Sequence, residues 1–142
     1  MPSATHQTLL LWAARKMAYD GFRLAGYEGR SEQGGVWNSL PAPPGFSGAR
    51  PDAWGYHRDE ARVAFAEAKT ASDIDTQHTR AQLRAFIGLR SFAGGQVCRL
   101  YFATPRSAAD ALDRVLADVG LIGSRDVVRL HVPDVLLPEE AV

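Results

Sequence analysis

The stretch from Arg50 to Lys69 constrains this chain more than any other. It reads Arg-Pro-Asp-Ala-Trp-Gly-Tyr, then a polar turn, then Arg-Val-Ala-Phe-Ala-Glu-Ala-Lys. The second arm alternates: Val63, Phe65, Glu67 and Lys69 share one face of a strand, and Arg62, Ala64, Ala66 and Ala68 share the other. Glu67 and Lys69 therefore point the same way, about 7 Å apart from two rises of roughly 3.3 Å. Folding the hairpin about Arg58-Asp59-Glu60-Ala61 sets Asp52 directly opposite Glu67, within about 5.5 Å at Cα. Two carboxylates and an ammonium converge at the end of a small sheet.

Carboxylates at that spacing repel unless a cation lies between them. Two carboxylates and a backbone carbonyl suit a hard divalent ion such as Mg2+. A lysine beside them can orient water or neutralise charge developing on a phosphate. This is equipment for hydrolysing a phosphodiester. The pattern resembles the PD-(D/E)XK nuclease superfamily: Pro51-Asp52 is similar to its first half-motif and Glu67-Ala68-Lys69 to its second. The resemblance implies a restriction-endonuclease-like fold and an Mg2+-dependent (deoxyribo)nuclease. It implies Mg2+ (or Mn2+) held by Asp52, Glu67 and the Ala68 carbonyl, with Lys69 activating or positioning water. The superfamily often adds a glutamate near the start of its first helix. Here His6 and Gln7 occupy those positions. That departure leaves open one metal instead of two, a metal completed by water, or lost activity.

The length of 142 residues suits one domain, residues 1–142, with a core of its own. No apolar run reaches the length of a membrane span, and the N-terminus carries no basic region followed by an apolar one. Cys98 is the only cysteine, so an internal disulfide is excluded and a reducing, cytoplasmic setting is expected. Its apolar context marks it as a core thiol. Net charge is zero, yet unevenly placed: residues 1–104 carry 12 Lys/Arg against 9 Asp/Glu, and residues 105–142 carry 4 against 7. The positive excess thus lies in the part of the chain that holds the hairpin. Fourteen of the sixteen basic residues are Arg, so a lysine kept beside the carboxylates is informative, because Lys can give up a proton and Arg cannot.

Taken in order, residues 5–25 predict a first helix, capped by Ser3 or Thr5 and ended by Gly26. A poorly defined strand is expected within residues 27–39. Residues 34–50 are rich in Pro and Gly and read as a loop near the site. This loop holds Trp37, Phe46 and Arg50, either as a flap on the substrate or as aromatics pinned to the core. Asp75 or Thr76 caps a second helix running to about Arg90, whose N-terminus enters beside the Glu-x-Lys strand. Arg50, Arg80, Gln82 and Arg84 are the candidate nucleic-acid contacts. Gln82 and Phe86 also resemble the Gln-x-x-x-Tyr feature of helicase-nucleases. Val97 to Thr104 predicts a buried strand. Ser107 with Asp110 has the shape of a capping box opening a third helix, which runs to Val119 and stops at Gly120. Val127 to Val132 predicts a last strand, and residues 134–142 a frayed tail.

The resulting order, α-β-β-β-α-β-α-β, predicts an α/β fold with a mixed central sheet flanked by helices. The functional expectation is a nuclease acting on DNA, alone, as a homodimer or as a subunit of a larger nucleic-acid-processing complex. The alternative is a catalytically inactive module on the same fold, binding nucleic acid or a protein partner; zero net charge and the missing helix-1 glutamate favour it.

Overall fold

The computed structural model describes residues 3–28, 51–57, 59, 62–87 and 97–138. Its elements are α1 (Ala4–Tyr19), β1 (Phe22–Tyr27), β2 (Ala53–His57), β3 (Arg62–Ala68), α2 (Gln77–Ile87), β4 (Arg99–Pro105), α3 (Ala109–Asp118) and β5 (Val127–Val132). Short 3-10 turns at Arg106–Ala108 and Asp134–Leu136 follow β4 and β5. The strands form one sheet in the order β1-β2-β3-β4-β5. β2 runs antiparallel to its neighbours β1 and β3, and β3, β4 and β5 run parallel. This is a mixed α/β sheet flanked by helices, in the element order expected of a restriction-endonuclease-like core.

The alternation in β3 decides how the layers pack. Ala64, Ala66 and Ala68, with Ala53 and Ala103, present a face of small side chains to α1, whose Leu9, Leu10, Ala13 and Met17 are buried against it. Without bulk on that face, the helix can lie close to the sheet. Val63, Phe65, Leu100 and Phe102 line the opposite face, under Leu83 and Phe86 of α2 and Leu112, Val115 and Leu116 of α3. Phe65 and Phe86 stack with ring centroids 5.3 Å apart. β3 is thus covered on both faces, which makes its end a place where an ionisable side chain can be taken out of water.

The register of the hairpin follows from the same alternation. Ala53 pairs with Ala66, Trp54 with Phe65, and Gly55 with Ala64, which sets Asp52 opposite Glu67. Gly55 is required where β1 bulges between Leu24 and Gly26: a Cβ there would stand 2.4 Å from the Arg23 carbonyl oxygen.

Several boundaries differ from the sequence reading. The first helix ends at Tyr19, not Gly26; Gly21, with φ of 95°, makes the turn, and Phe22–Tyr27 is already β1. Phe22 and Leu24 fit a helical stripe and an alternating strand equally well. Ser3 caps α1, its Oγ accepting from the His6 amide at 3.1 Å, while Thr5 donates its hydroxyl to the Pro138 carbonyl. Thr76 caps α2 through the Thr79 amide at 3.0 Å. The expected Ser107–Asp110 capping box does not form: the Ser107 amide and hydroxyl both donate to Asp134. Asp134 and Pro138 are therefore tied back to the domain within the segment expected to fray. The strand expected at Val97 begins at Arg99. The 34–50 loop with its Trp37 and Phe46, and the helix end at 88–90, lie outside the described residues.

α2 and α3 are joined through Arg80. Its guanidinium donates to Asp118 Oδ2 at 3.0 and 2.7 Å and to the Thr76 carbonyl at 3.1 Å, and it stands 2.8 Å from Asp75. The Arg80 hydrogen bond is the largest influence holding the Asp75 carboxyl below the ordinary carboxylate range. This planar donor fork meeting carboxylates from two elements sets the position of α2 over the sheet. Replacing Arg80 or Asp118 by Ala should each lower the urea midpoint. The double variant should lose less than the two single losses added together. Additive losses in that double-mutant cycle would show that the clamp contributes no coupling.

Candidate active site

Asp52 lies one residue before β2, and Glu67 and Lys69 lie at the end of β3 and one residue past it. The hairpin register brings the two acids together. The Asp52 amide donates to Glu67 Oε1 at 3.1 Å, and the Ala68 amide donates to Asp52 Oδ2 at 2.9 Å. Each carboxyl thus braces the other's backbone. Asp52 is also held from the far side, its carbonyl accepting from the Glu28 amide beyond β1 at 3.0 Å. The Lys69 amide donates to the Ala103 carbonyl at 3.1 Å, continuing the β3–β4 ladder one step. Lys69 is half-buried, and among the described residues its ammonium makes no ion pair.

Glu67 is 1% exposed. Burial, and then the Asp52 carboxylate beside it, push its carboxyl well above the ordinary carboxylate range, against the pull of the Lys69 charge. A carboxyl in that state is at odds with its surroundings: its charged form lacks water, and its nearest charged neighbour carries the same sign.

His6 completes the group. It sits in the first turn of α1, with Nε2 3.2 Å from Asp52 Oδ2 and its side chain 19% exposed. Its Nδ1 is buried without a hydrogen-bond partner. Gln7, the neighbouring candidate, is half-buried and engaged in interactions of its own. Among the described residues, no three imidazole, thiolate or carboxylate groups share one centre at ligand spacing. Asp52 Oδ2 both accepts from the Ala68 amide and meets His6, whereas Asp52 reaches Glu67 through its backbone amide.

A cleft of about 640 Å3 opens beside His6. Ser3 and Thr5 line one wall, Thr70 and Ser72 another, and Leu137 and Pro138 a third. It lies past the carboxyl ends of β3 and β5, the edge at which open α/β sheets hold ligands. Sequence reading missed this wall of hydroxyls; its one signal was the polar Thr70-Ala-Ser-Asp turn directly after Lys69.

The other expected contacts fare differently. Arg80 is committed to Asp118, Asp75 and the Thr76 carbonyl, so it is a clamp between helices and not a free cation for phosphate. Gln82 is buried, its Oε1 without a partner, whereas Arg84 is exposed. Arg50 lies outside the described residues.

The state of Glu67 sets a pH dependence. A carboxyl whose pKa is raised by folding holds its proton more tightly in the folded chain. Stability without metal should therefore fall as pH rises above the unfolded value of 4.5, until Glu67 itself ionises. The slope from this group is at most about 1.4 kcal/mol per pH unit. Glu67→Gln should remove that slope and leave the variant more stable than wild type at pH 8 in a chelator, by thermal melts across pH. Parallel curves would contradict the buried, proton-holding carboxyl.

No family model matches this chain, and no curated protein matches it at a significant level. Among solved structures, the chain is similar to the crystal structure of a repair endonuclease from Pyrococcus abyssi, with a TM-score of 0.44 and 13% sequence identity. The match covers 94% of this chain and 48% of that one, so this chain spans about half the length of the protein it resembles.

Proposed function

We propose that this protein is a metal-dependent nuclease of the PD-(D/E)XK type, hydrolysing phosphodiester bonds of DNA. The observation that carries the reading is the buried Glu67 carboxyl against Asp52, with Lys69 two residues on, just past the end of β3. A buried carboxyl beside a second, partly exposed carboxylate is costly to keep for structure alone. A divalent cation offsets the repulsion, and two carboxylates with the Ala68 carbonyl form an all-oxygen donor set that fits Mg2+ or Mn2+.

When bound there, such an ion supplies charge stabilisation to a phosphoryl oxygen and to the attacking water. The chain's own groups supply the rest. Asp52 and Glu67 hold their positions through the Ala68 and Asp52 amides, so little reorganisation is needed as charge develops. Lys69, free of ion pairs among the described residues, can donate to water or to a phosphate oxygen. Water attacks phosphorus as the bond to the leaving sugar oxygen breaks. The cleft beyond His6 would receive the strand, with the Ser3 hydroxyl, which accepts from the His6 amide, left as an uncharged donor to a phosphate oxygen; Thr5 and Thr70 already donate to the Pro138 carbonyl and to Asp73, and Asp73 and Asp134 also line the cleft. Of the expected arginines, exposed Arg84 remains a candidate for the phosphate backbone.

Labelled duplex, single-stranded and branched DNAs incubated with Mg2+ or Mn2+ test the reading directly. Wild type should cleave at least one of them, with cleavage stopped by a chelator. Lys69→Ala should keep its fold and metal affinity and lose about 10²–10³-fold in rate, the usual cost of one preorganised donor. Metal-free DNA binding with no cleavage of any substrate would instead establish a non-catalytic nucleic-acid-binding module, the reading that His6 in place of a helix-1 glutamate favours.

A further inference from the structure

We propose that Thr104 is a positioning residue for Lys69: its hydroxyl takes a hydrogen bond from the Lys69 ammonium and passes one on to Nδ1 of His131. A row across three strand ends thus holds the amine where water attacks. This rests on the nuclease reading above and goes beyond it in naming residues that lie outside the motif and the cleft.

The register of the parallel strands sets the row. Glu67 pairs with Phe102 and Ala68 with Ala103, and the Lys69 amide donates to the Ala103 carbonyl, which carries the ladder on to Lys69 and Thr104. On the other side of β4, Thr104 pairs with His131. All three positions lie on one face. Phe65, Phe102 and Val127 belong to the cluster under α2 and α3, and Lys69, Thr104 and His131 follow them in steps of two along β3, β4 and β5. Neighbours in the row stand about 5 Å apart at Cα, the spacing of adjacent strands.

Two members carry buried polar atoms with nothing to bond. Thr104 is 0% exposed, and its Oγ1 has no partner among the described residues. Nδ1 of His131 is likewise shut off from water and unpartnered. Such a hydroxyl is costly where valine has the same shape and suits a strand as well.

Donors and acceptors match in one direction. Burial, and then the Arg129 charge, hold the His131 pKa below the ordinary histidine range, against the pull of Asp113 and with help from Arg106. The ring is therefore neutral near neutral pH, and Nδ1 can accept. The Thr104 hydroxyl donates to it and keeps its lone pairs for Lys69, whose ammonium only donates. The ladder fixes the backbones, so side-chain rotation alone closes the row.

The test compares Thr104→Val, which keeps the shape and removes the hydroxyl, with Thr104→Ser, which keeps the hydroxyl. Lys16 and Lys69 are the only lysines, so the full chain labelled with carbon-13 at lysine Cε gives two signals, Lys16 serving as the internal reference. Without metal or DNA, relaxation should show the Lys69 Cε more mobile in Thr104→Val than in wild type, and unchanged in Thr104→Ser. With Mg2+ and a cleaved DNA, Thr104→Val should lose about 10–100-fold in kcat, the scale of one hydrogen bond to a charged group. KM should stay unchanged, the thermal midpoint should not fall, and Thr104→Ser should keep the rate. Adding Thr104→Val to Lys69→Ala should slow that variant no further. If Thr104→Val does not fold by circular dichroism, Thr104→Ala takes its place. Unchanged Lys69 mobility, equal kcat in wild type and Thr104→Val, or Thr104→Ser as slow as Thr104→Val would overturn the row and leave Thr104 a buried strand residue. Failure of wild type to cleave any DNA would overturn the nuclease reading instead, and the relaxation comparison would still decide the row.

Discussion

A carboxyl that water cannot reach lies at the end of β3, and the packing of the domain puts it there. Glu67 is buried because both faces of its strand are covered, by α1 over the alanines and by α2 with α3 over the aromatics. Its partner Asp52 is delivered by the hairpin register, and each acid is then braced by a backbone amide of the other's strand. Take away the alanine face and α1 would be lifted from the sheet, and with it His6. Shift the register by one residue and Asp52 would meet an alanine instead of Glu67. The site is thus a consequence of the core.

This arrangement keeps electrostatic strain in a stable fold. Burial and a like-charged neighbour disfavour the ionised form of Glu67, and Lys69 only partly compensates. This strain sits at the carboxyl end of β3. At the other end, charges are matched: Arg62 pairs with Asp126. Near α1's C-terminus, Asp20 accepts from the Tyr101 hydroxyl at 2.7 Å and pairs with Lys16. Mismatched acids at the end of β3, against the matched pairs at these two places, support the proposal that a ligand supplies the missing charge.

Much of this was legible in the chain. The Val63-Ala-Phe-Ala-Glu-Ala-Lys alternation contains the strand, its two faces and the register, because side-chain direction in a strand has a period of two. What was not legible lies in contacts between distant segments. Arg80 looked like a phosphate contact because its helix starts after the site; only the position of Asp118, 38 residues away, shows that it is a clamp. Ser107 looked like a cap because Asp110 stands three residues on, yet Asp134 takes both of its donors. The helix expected to run to Gly26 stops at Tyr19, before Gly21, because Phe22 and Leu24 satisfy a strand period as well as a helical one. The meeting of His6 with Asp52 depends on where α1 lies over the sheet, which local pattern does not encode.

The central claim is that Asp52 and Glu67 form one cation site. The most direct measurement is calorimetric titration of Mg2+ and Mn2+ into wild type and into the Asp52→Asn, Glu67→Gln double variant, chosen to preserve shape while removing both charges. The account predicts one bound cation per wild-type chain and none in the variant, with the variant's fold intact by circular dichroism. Undiminished binding in the folded double variant, or no binding of either metal by wild type, would contradict it.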